Sequence, residues 1–316
     1  MLFLPLKPNF PLPRVPWLTI IVCVVCLAIF AKQQVDREEY TSAIYAHCGE
    51  HRSHLKKMIF DRIAPDSDNA CITIVHGIAI SDNEQTAIRE LVADIRPLTG
   101  FDPEETRLYV SNMLQEEVDR YHTRVPESPD AWVAYDTSSW NPLQMFMSAF
   151  GHADWAHVIF NVIFFAAFAA AVEIMIGPFM FVVTFAAISI FTGLFSSISA
   201  VAAGQHFTTL GLSGVVMGMI GLFAFLLPRG QMLCGYWFLV FIGKIAVPVW
   251  ALALYFIGGD IYQLITSDDH GMVNVLAHVT GGVGGFLFGM AFLRKTRWEM
   301  SVMQAEMARE KLRPGI

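Results

Sequence analysis

Charge is scarce in this 316-residue chain: 16% of it is Asp, Glu, Lys or Arg, where an ordinary soluble domain carries about 25%. That shortage, beside a hydrophobic content of 54%, argues against a water-soluble enzyme. Cysteine is sparse too, with five in all, too few for a disulfide scaffold. There is no H-E-x-x-H pair of zinc ligands, no internal repeat and no low-complexity run. Lys and Arg number 21 against 28 Asp and Glu. A net-acidic balance lacks the clustered cations that phosphate neutralisation needs, so no nucleic-acid partner is expected.

What charge there is lies mostly in one segment. Residues 32–139 hold 11 Lys and Arg against 20 Asp and Glu, a net of −9, while the other 208 residues hold 10 against 8. The remainder is a lipid-bilayer protein by pattern, because apolar runs of about 17–25 residues cross a hydrocarbon core and must do so as helices. Six runs are legible: a short one from Trp17 to Ala31, then Trp155–Ile176, Pro178–Ala200, Leu210–Leu227, Tyr236–Ile257 and Met272–Leu293. Between Trp155 and Leu293 the only charged side chains are Glu173, Arg229, Lys244, Asp260, Asp268 and Asp269. The expected fold is therefore an all-α polytopic bundle of six transmembrane helices. A small α/β or mostly helical extramembrane insert stands between helices 1 and 2.

Lys and Arg in short loops orient such a bundle. Arg229 lies between spans four and five, and Arg294, Lys295, Arg297, Arg309, Lys311 and Arg313 follow span six, whereas loops 201–209 and 258–271 have none. Both termini are expected in the cytoplasm and the insert outside, periplasmic if the membrane is a bacterial inner membrane. The domain plan is a cytoplasmic segment 1–16, helix 1 over 17–31, the acidic insert 32–139, a membrane core 140–293 and a basic cytoplasmic tail 294–316. Helix 1 reads as an uncleaved anchor, with cleavage of a signal peptide near Ala31 as the alternative.

Inside the insert, Ser81 with Glu84 reads as a capping box for a helix ending near Arg96. Pro103–Tyr121 reads as another helix after Asp102, and the stretch from Glu38 to Ile63 as helix or stalk. "CITIVHGIAI", Cys71–Ile80, is the best strand candidate. Cys48 and Cys71 lie where oxidation is permitted, though spacing alone does not pair them. Cys23 and Cys26 read as apolar filler in helix 1, and Cys234 as a free cytoplasmic thiol.

Polar groups within transmembrane helices are costly and mark function or internal pairing. They are His157, Asn161 and Glu173 in span two, Ser213 in span four, Lys244 in span five and His278 in span six. At 1.5 Å per residue, Ser213, His278 and Asn161 lie about 22, 24 and 25 Å above the inner ends of their spans, nearly one level. His157 sits one turn above Asn161 on the same face. A serine, a histidine and two further donors at one depth are the inventory of a hydrolytic site: nucleophile, general base and oxyanion stabilisers. No carboxylate reads at that level, so a Ser213–His278 dyad is expected, with His157 and Asn161 joining the Ser213 backbone N–H around the oxyanion. Gly281, Gly285 and Gly289 below His278, with Gly214 and Gly218 beside Ser213, predict close packing of spans four and six.

These pieces together resemble the rhomboid family of intramembrane serine proteases. The matching motifs are "HADWAHVIFN" (His152–Asn161), "GLSG" (Gly211–Gly214) and "AHVTGGVGG" (Ala277–Gly285), in order on the second, fourth and sixth spans, covering about residues 140–293. The resemblance implies Ser213 as nucleophile, His278 as base, His157 and Asn161 as oxyanion contributors, His152 as a structural histidine and Glu173 as a lower contact in the bundle. It also implies transmembrane proteins as substrates, cleaved in the lipid bilayer without a cofactor or metal, with a substrate helix admitted near span five and the loop Gly258–Gly271. Three features depart from the family pattern. Met217 stands where many members have an aromatic, Trp140 is followed by Asn141 instead of Arg, and Lys244 is out of place in span five.

Other readings use the same residues. An inactive rhomboid-like module that binds membrane proteins would lack the serine or histidine that this chain keeps. A proton-relay transporter would use Glu173, Lys244 and the histidines, and would show inverted repeats that are not seen. Glu173 and Lys244 could pair within the bundle. A metal site at His152, His157 and His278 has no acidic or thiolate companion. His206 reads as solvated.

Overall fold

The computed structural model describes residues 2–49, 53–81, 83–238, 241–266 and 275–311. In chain order its elements are β1 (Leu2–Pro8), α1 (Trp17–Gly49), α2 (His54–Ile63), a π turn (Ile72–His76) running into α3 (Gly77–Ala79), α4 (Glu84–Ala93), α5 (Pro103–Arg124), β2 (Tyr135–Asp136), α6 (Pro142–Met147), α7 (Trp155–Ile176), α8 (Pro178–Ala203), β3 (Thr208–Thr209), α9 (Ser213–Leu226), β4 (Gln231–Phe238), β5 (Phe241–Pro248), α10 (Val249–Thr266), α11 (Val275–Phe292) and α12 (Arg294–Lys311). The protein is 72% helical. It divides into two compact units, residues 1–31 with 132–316, and residues 32–131.

Five helices of the described residues are long and apolar enough to cross a membrane: α1, α7, α8, α10 and α11. At the fourth expected span, α9 has only 14 residues, about 21 Å of helix. It starts at Ser213 because Gly211, at φ +132°, is outside helical geometry. Nearly every residue of α9 is buried, so this short helix is surrounded by the longer ones. Between α7 and α8 the chain turns at Gly177, at φ +79°, and Pro178 opens the next helix at a position where its missing N–H costs nothing.

Glycine sets how tightly the first unit packs. A Cβ on Gly281 would overlap the backbone of Gly214, one on Gly285 the backbone of Gly218, and one on Gly221 the backbone of Gly282. α9 and α11 thus touch backbone to backbone, as the small-residue stripes predict. Phe168 of α7 meets Phe223 of α9 edge to face, and Phe165 of α7 meets Phe181 and Phe185 of α8. A Cβ on Gly193 would collide with Met145, which shows how closely α6 lies on α8.

The fifth expected span, Tyr236–Ile257, is corrected. Its first half belongs to a three-stranded antiparallel sheet of order β1-β4-β5, with Pro5 opposite Cys234 and Gly235 opposite Lys244. The helix begins only at Val249 and runs to Thr266. An apolar run of this length does not by itself tell strand from helix, and Gly235, Gly243 and Pro248 all disfavour a helix interior. Lys244 is consequently an exposed strand residue, not a mid-bilayer cation. The sheet also gives β1, within the expected segment 1–16, a partner in β4.

The regular elements described in the second unit are all helical. Ile59, Val75, Ile78, Ile88, Val110, Leu114 and Val118 form its core. Against the strand expectation, Cys71–Ile80 is helical, with Cys71, Ile74, Val75 and Ile78 buried at helical spacing. The cap of α4 is Asn83, whose side chain accepts from the Thr86 N–H, while Ser81 donates to the Ile78 carbonyl. At α5 the Asp102–Glu105 capping box is complete. Cys48 and Cys71 are joined by a disulfide, their Cα atoms 5.7 Å apart. The buried carboxylate of Glu117 is held by Lys56 at 2.8 Å and by Arg120, so this buried charge is compensated.

Candidate active site

The site begins at a residue without a side chain. Gly211 donates its N–H to the Ser148 carbonyl at 2.8 Å and holds φ +132°, where other residues are strained. A Cβ there would stand 2.9 Å from Cε1 and Nε2 of His157 and 3.8 Å from Oγ of Ser213. The G-x-S turn therefore serves two ends. It starts α9 at Ser213, and it leaves the imidazole of His157 lying against the turn beside that hydroxyl.

Ser213 is the first residue of α9, and the cap position is Leu212, which offers no side-chain acceptor. First-turn N–H groups of a helix have no intrahelical partner and carry the positive end of the macrodipole. By contrast, the neighbouring α7 has its own cap: Asp154 Oδ1 accepts from the His157 N–H at 2.8 Å. The uncapped start of α9 is thus an anion-accepting point next to a half-buried hydroxyl.

His157 is held from two further sides. Asn161, one turn along and buried, donates its side-chain N–H to the His157 carbonyl at 2.9 Å. His152, fully buried, packs edge to face on His157 with ring centroids 5.1 Å apart, and its Nδ1 lies 3.2 Å from the Phe150 carbonyl. Burial, with nearby His157 adding to it, pushes the His152 imidazole down to about 4, so His152 is neutral at pH 7.

His278 comes in on α11. A Cβ on Gly214 would stand 3.3 Å from the carbonyl of Ala277, so Ser213 and His278 each adjoin one member of a close backbone contact between α9 and α11. His157 and His278 are near enough to interact electrostatically. Met217 is buried one turn along α9 from Ser213, and Gly281 and Gly285 lie in the seam below.

The expectation that no carboxylate stands at this level is corrected. Asp260 Oδ2 lies 3.0 Å from His278 Nδ1. The expected span five leaves Asp260 in a loop, whereas it is within α10. The signal for it is a charged residue two-thirds of the way along an apolar helix. The pairing of Glu173 with Lys244 is corrected as well. Glu173 accepts from the N–H groups of Leu18 and Thr19 at 3.2 and 2.8 Å and from the Thr19 hydroxyl at 2.8 Å, which makes it the N-terminal cap of α1. Among the described residues no group of three or more His, Cys, Asp or Glu could hold a metal. Of the expected substrate path Gly258–Gly271, residues 267–271 lie outside the described residues. The part that is described belongs to α10, which buries few side chains and exposes Tyr255, Tyr262 and Ile265.

No curated protein matches the chain. Residues 139–295 match the family model described as the Rhomboid domain, and with its apolar membrane-spanning helices the chain belongs to the rhomboid family as an integral multi-pass membrane protein.

Proposed function

We propose that this protein is an active intramembrane serine endopeptidase that cleaves transmembrane segments of other membrane proteins. Rhomboid proteins in general are serine intramembrane proteases acting on transmembrane substrates in the bilayer. For this member the reading is supported by one observation: α9 and α11 meet at Gly214 and Ala277, the chain neighbours of Ser213 and His278. His278 takes the proton of Ser213 Oγ as the oxygen attacks the scissile carbonyl carbon, and the carbonyl π electrons move onto oxygen. That oxyanion is received by the uncapped N–H groups at the start of α9 and by His157. His278 then gives the proton to the departing amine. Water, deprotonated by the same imidazole, releases the acyl group from Ser213. Asn161 acts by fixing the turn that carries His157.

The topology proposed with it keeps both termini in the cytoplasm and residues 32–139 outside. The domain plan is a segment 1–16, helix 1 from residue 17, the insert 32–139, the catalytic core 140–293 and the tail 294–316.

The test is reaction of the protein in liposomes with a serine-directed fluorophosphonate, alongside cleavage of a transmembrane reporter. Wild type is expected to label and to cleave, while Ser213→Ala does neither and His278→Ala loses cleavage with its thermal melt unchanged. Cleavage by Ser213→Ala, or a wild type that neither labels nor cleaves, overturns the protease reading; the second result leaves the inactive binding module in its place.

A further inference from the structure

We infer that Asp260 is a positioning residue for His278, holding the imidazole of the Ser213–His278 pair. The inference rests on the protease reading above.

The register of two helices carries it. α10 and α11 run antiparallel and touch at Ile257 and Gly282, where a Cβ on the glycine would collide with the isoleucine side chain. Three residues on from Ile257 is Asp260, and four residues back from Gly282 is His278. Those are the offsets that return to the same helical face. The 3.0 Å approach of Oδ2 to Nδ1 is thus a consequence of how the helices lie, and the Ile257–Gly282 contact supports it independently.

Chemistry gives the contact its use. The two side chains are 20% and 16% exposed, far less than surface groups, so their attraction is only weakly screened. A carboxylate accepts a hydrogen bond and cannot donate one, so the proton on neutral His278 is fixed at Nδ1 and the lone pair at Nε2. Nε2 is then the nitrogen left to take the Ser213 proton. Once it has done so, the positive imidazolium sits against the carboxylate oxygen that holds it.

Among the described residues α8, α9 and α11 contain no Asp or Glu, and the nearby carboxylates have other partners: Asp154 accepts from the His157 N–H and Glu173 from the N–H groups that open α1. An aspartate in an apolar helix is costly. Its neighbours Leu254, Tyr255, Ile261, Tyr262 and Ile265 are exposed apolar side chains suited to lipid, and the histidine offsets that cost.

The experiment compares Asp260→Ala, Asp260→Asn and Asp260→Glu with wild type and Ser213→Ala. The proteins are in liposomes, and the readouts are kcat and KM on a transmembrane reporter, the rate of fluorophosphonate labelling, and the thermal melt. Asn keeps an acceptor without the charge, Glu keeps the charge at a different reach, and Ala removes both. The expected order of kcat is wild type, Glu, Asn, Ala. The alanine variant should fall by about 100-fold, the low end of what a placed general base contributes. Labelling falls in parallel, while KM and the melt stay near wild type. If Asp260→Ala does not fold, Asp260→Asn, of the same shape, is read against the same criteria. Wild-type kcat and labelling in these variants, or a loss that follows KM and the melt together, overturns the positioning role while the protease reading stands. An inactive wild type, or an active Ser213→Ala, overturns the protease reading itself, and the positioning role falls with it.

Discussion

The imidazole of His157 stands 2.9 Å from where a Cβ on Gly211 would project. Two demands meet at this one residue, a backbone conformation that side chains disfavour and a space that a neighbouring ring already fills. Gly211→Ala incurs both, with backbone strain of about 1–3 kcal/mol and displacement of His157. Gly204 is the matched control, since it too has a positive φ, +64°, but has nothing within 4 Å of its missing Cβ. Gly211→Ala is expected to lose most fluorophosphonate labelling of Ser213 while still melting cooperatively. Gly204→Ala is expected to lose some melting temperature and no labelling. Equal labelling in the two variants would mean that the approach of His157 to the turn does not matter to the serine.

Ser213, His157, Asn161 and His278 are legible in the sequence because a few polar groups stand out against apolar helices, and because their distances from helix ends put them at one depth. The seam between α9 and α11 is legible for a similar reason: glycines every fourth residue have one obvious use. Asp260 is not legible, and the cause is traceable. An apolar run from Tyr236 onward has no period that separates a hairpin from a helix, so the expected span starts too early and Asp260 falls outside it. The segment Cys71–Ile80 misleads in the opposite direction. Its β-branched residues suggest a strand, yet Cys71, Ile74, Val75 and Ile78 already have helical spacing, and packing in the second unit follows the spacing. The role of Glu173 is hidden because two of its three partners are backbone N–H groups about 155 residues away, which no side-chain pattern reports.

Glu173 caps a helix that cannot cap itself. The residue before α1 is Pro16, with no side-chain acceptor, and the carboxylate from α7 takes the N–H groups of Leu18 and Thr19 at the positive end of the α1 dipole. Glu173→Ala is expected to cost about 2–3 kcal/mol, the scale of hydrogen bonds to a charged acceptor. Glu173→Gln should cost less, because it keeps one acceptor oxygen. Lys244→Ala should leave the melt unchanged, since Lys244 is exposed on β5. Thermal melts of the three variants in one detergent decide the matter. A Lys244→Ala loss as large as that of Glu173→Ala would restore the pairing of the two that the structure does not contain.

His152 makes stability depend on pH in a stated direction. Its imidazole titrates near 6.5 when free and is pushed down to about 4 here, chiefly by burial. Between those values the unfolded chain binds a proton that the folded protein refuses. The folded state therefore has its full stability above pH 6.5, loses it as pH falls toward 4, and has lost all of this contribution below that, about 3 kcal/mol in total. Carboxylates titrate in the same range, and burial pushes the His76 imidazole down as well, so the readout is a difference. Melting temperatures are taken at pH 7.5 and 4.5 for wild type and His152→Asn. The variant is expected to start lower at pH 7.5, where it lacks the packing of His152 on His157, and to fall less between the two pH values. If the two proteins fall in parallel, the protons that destabilise the folded state in acid are bound elsewhere, and His152 is not held neutral by its burial.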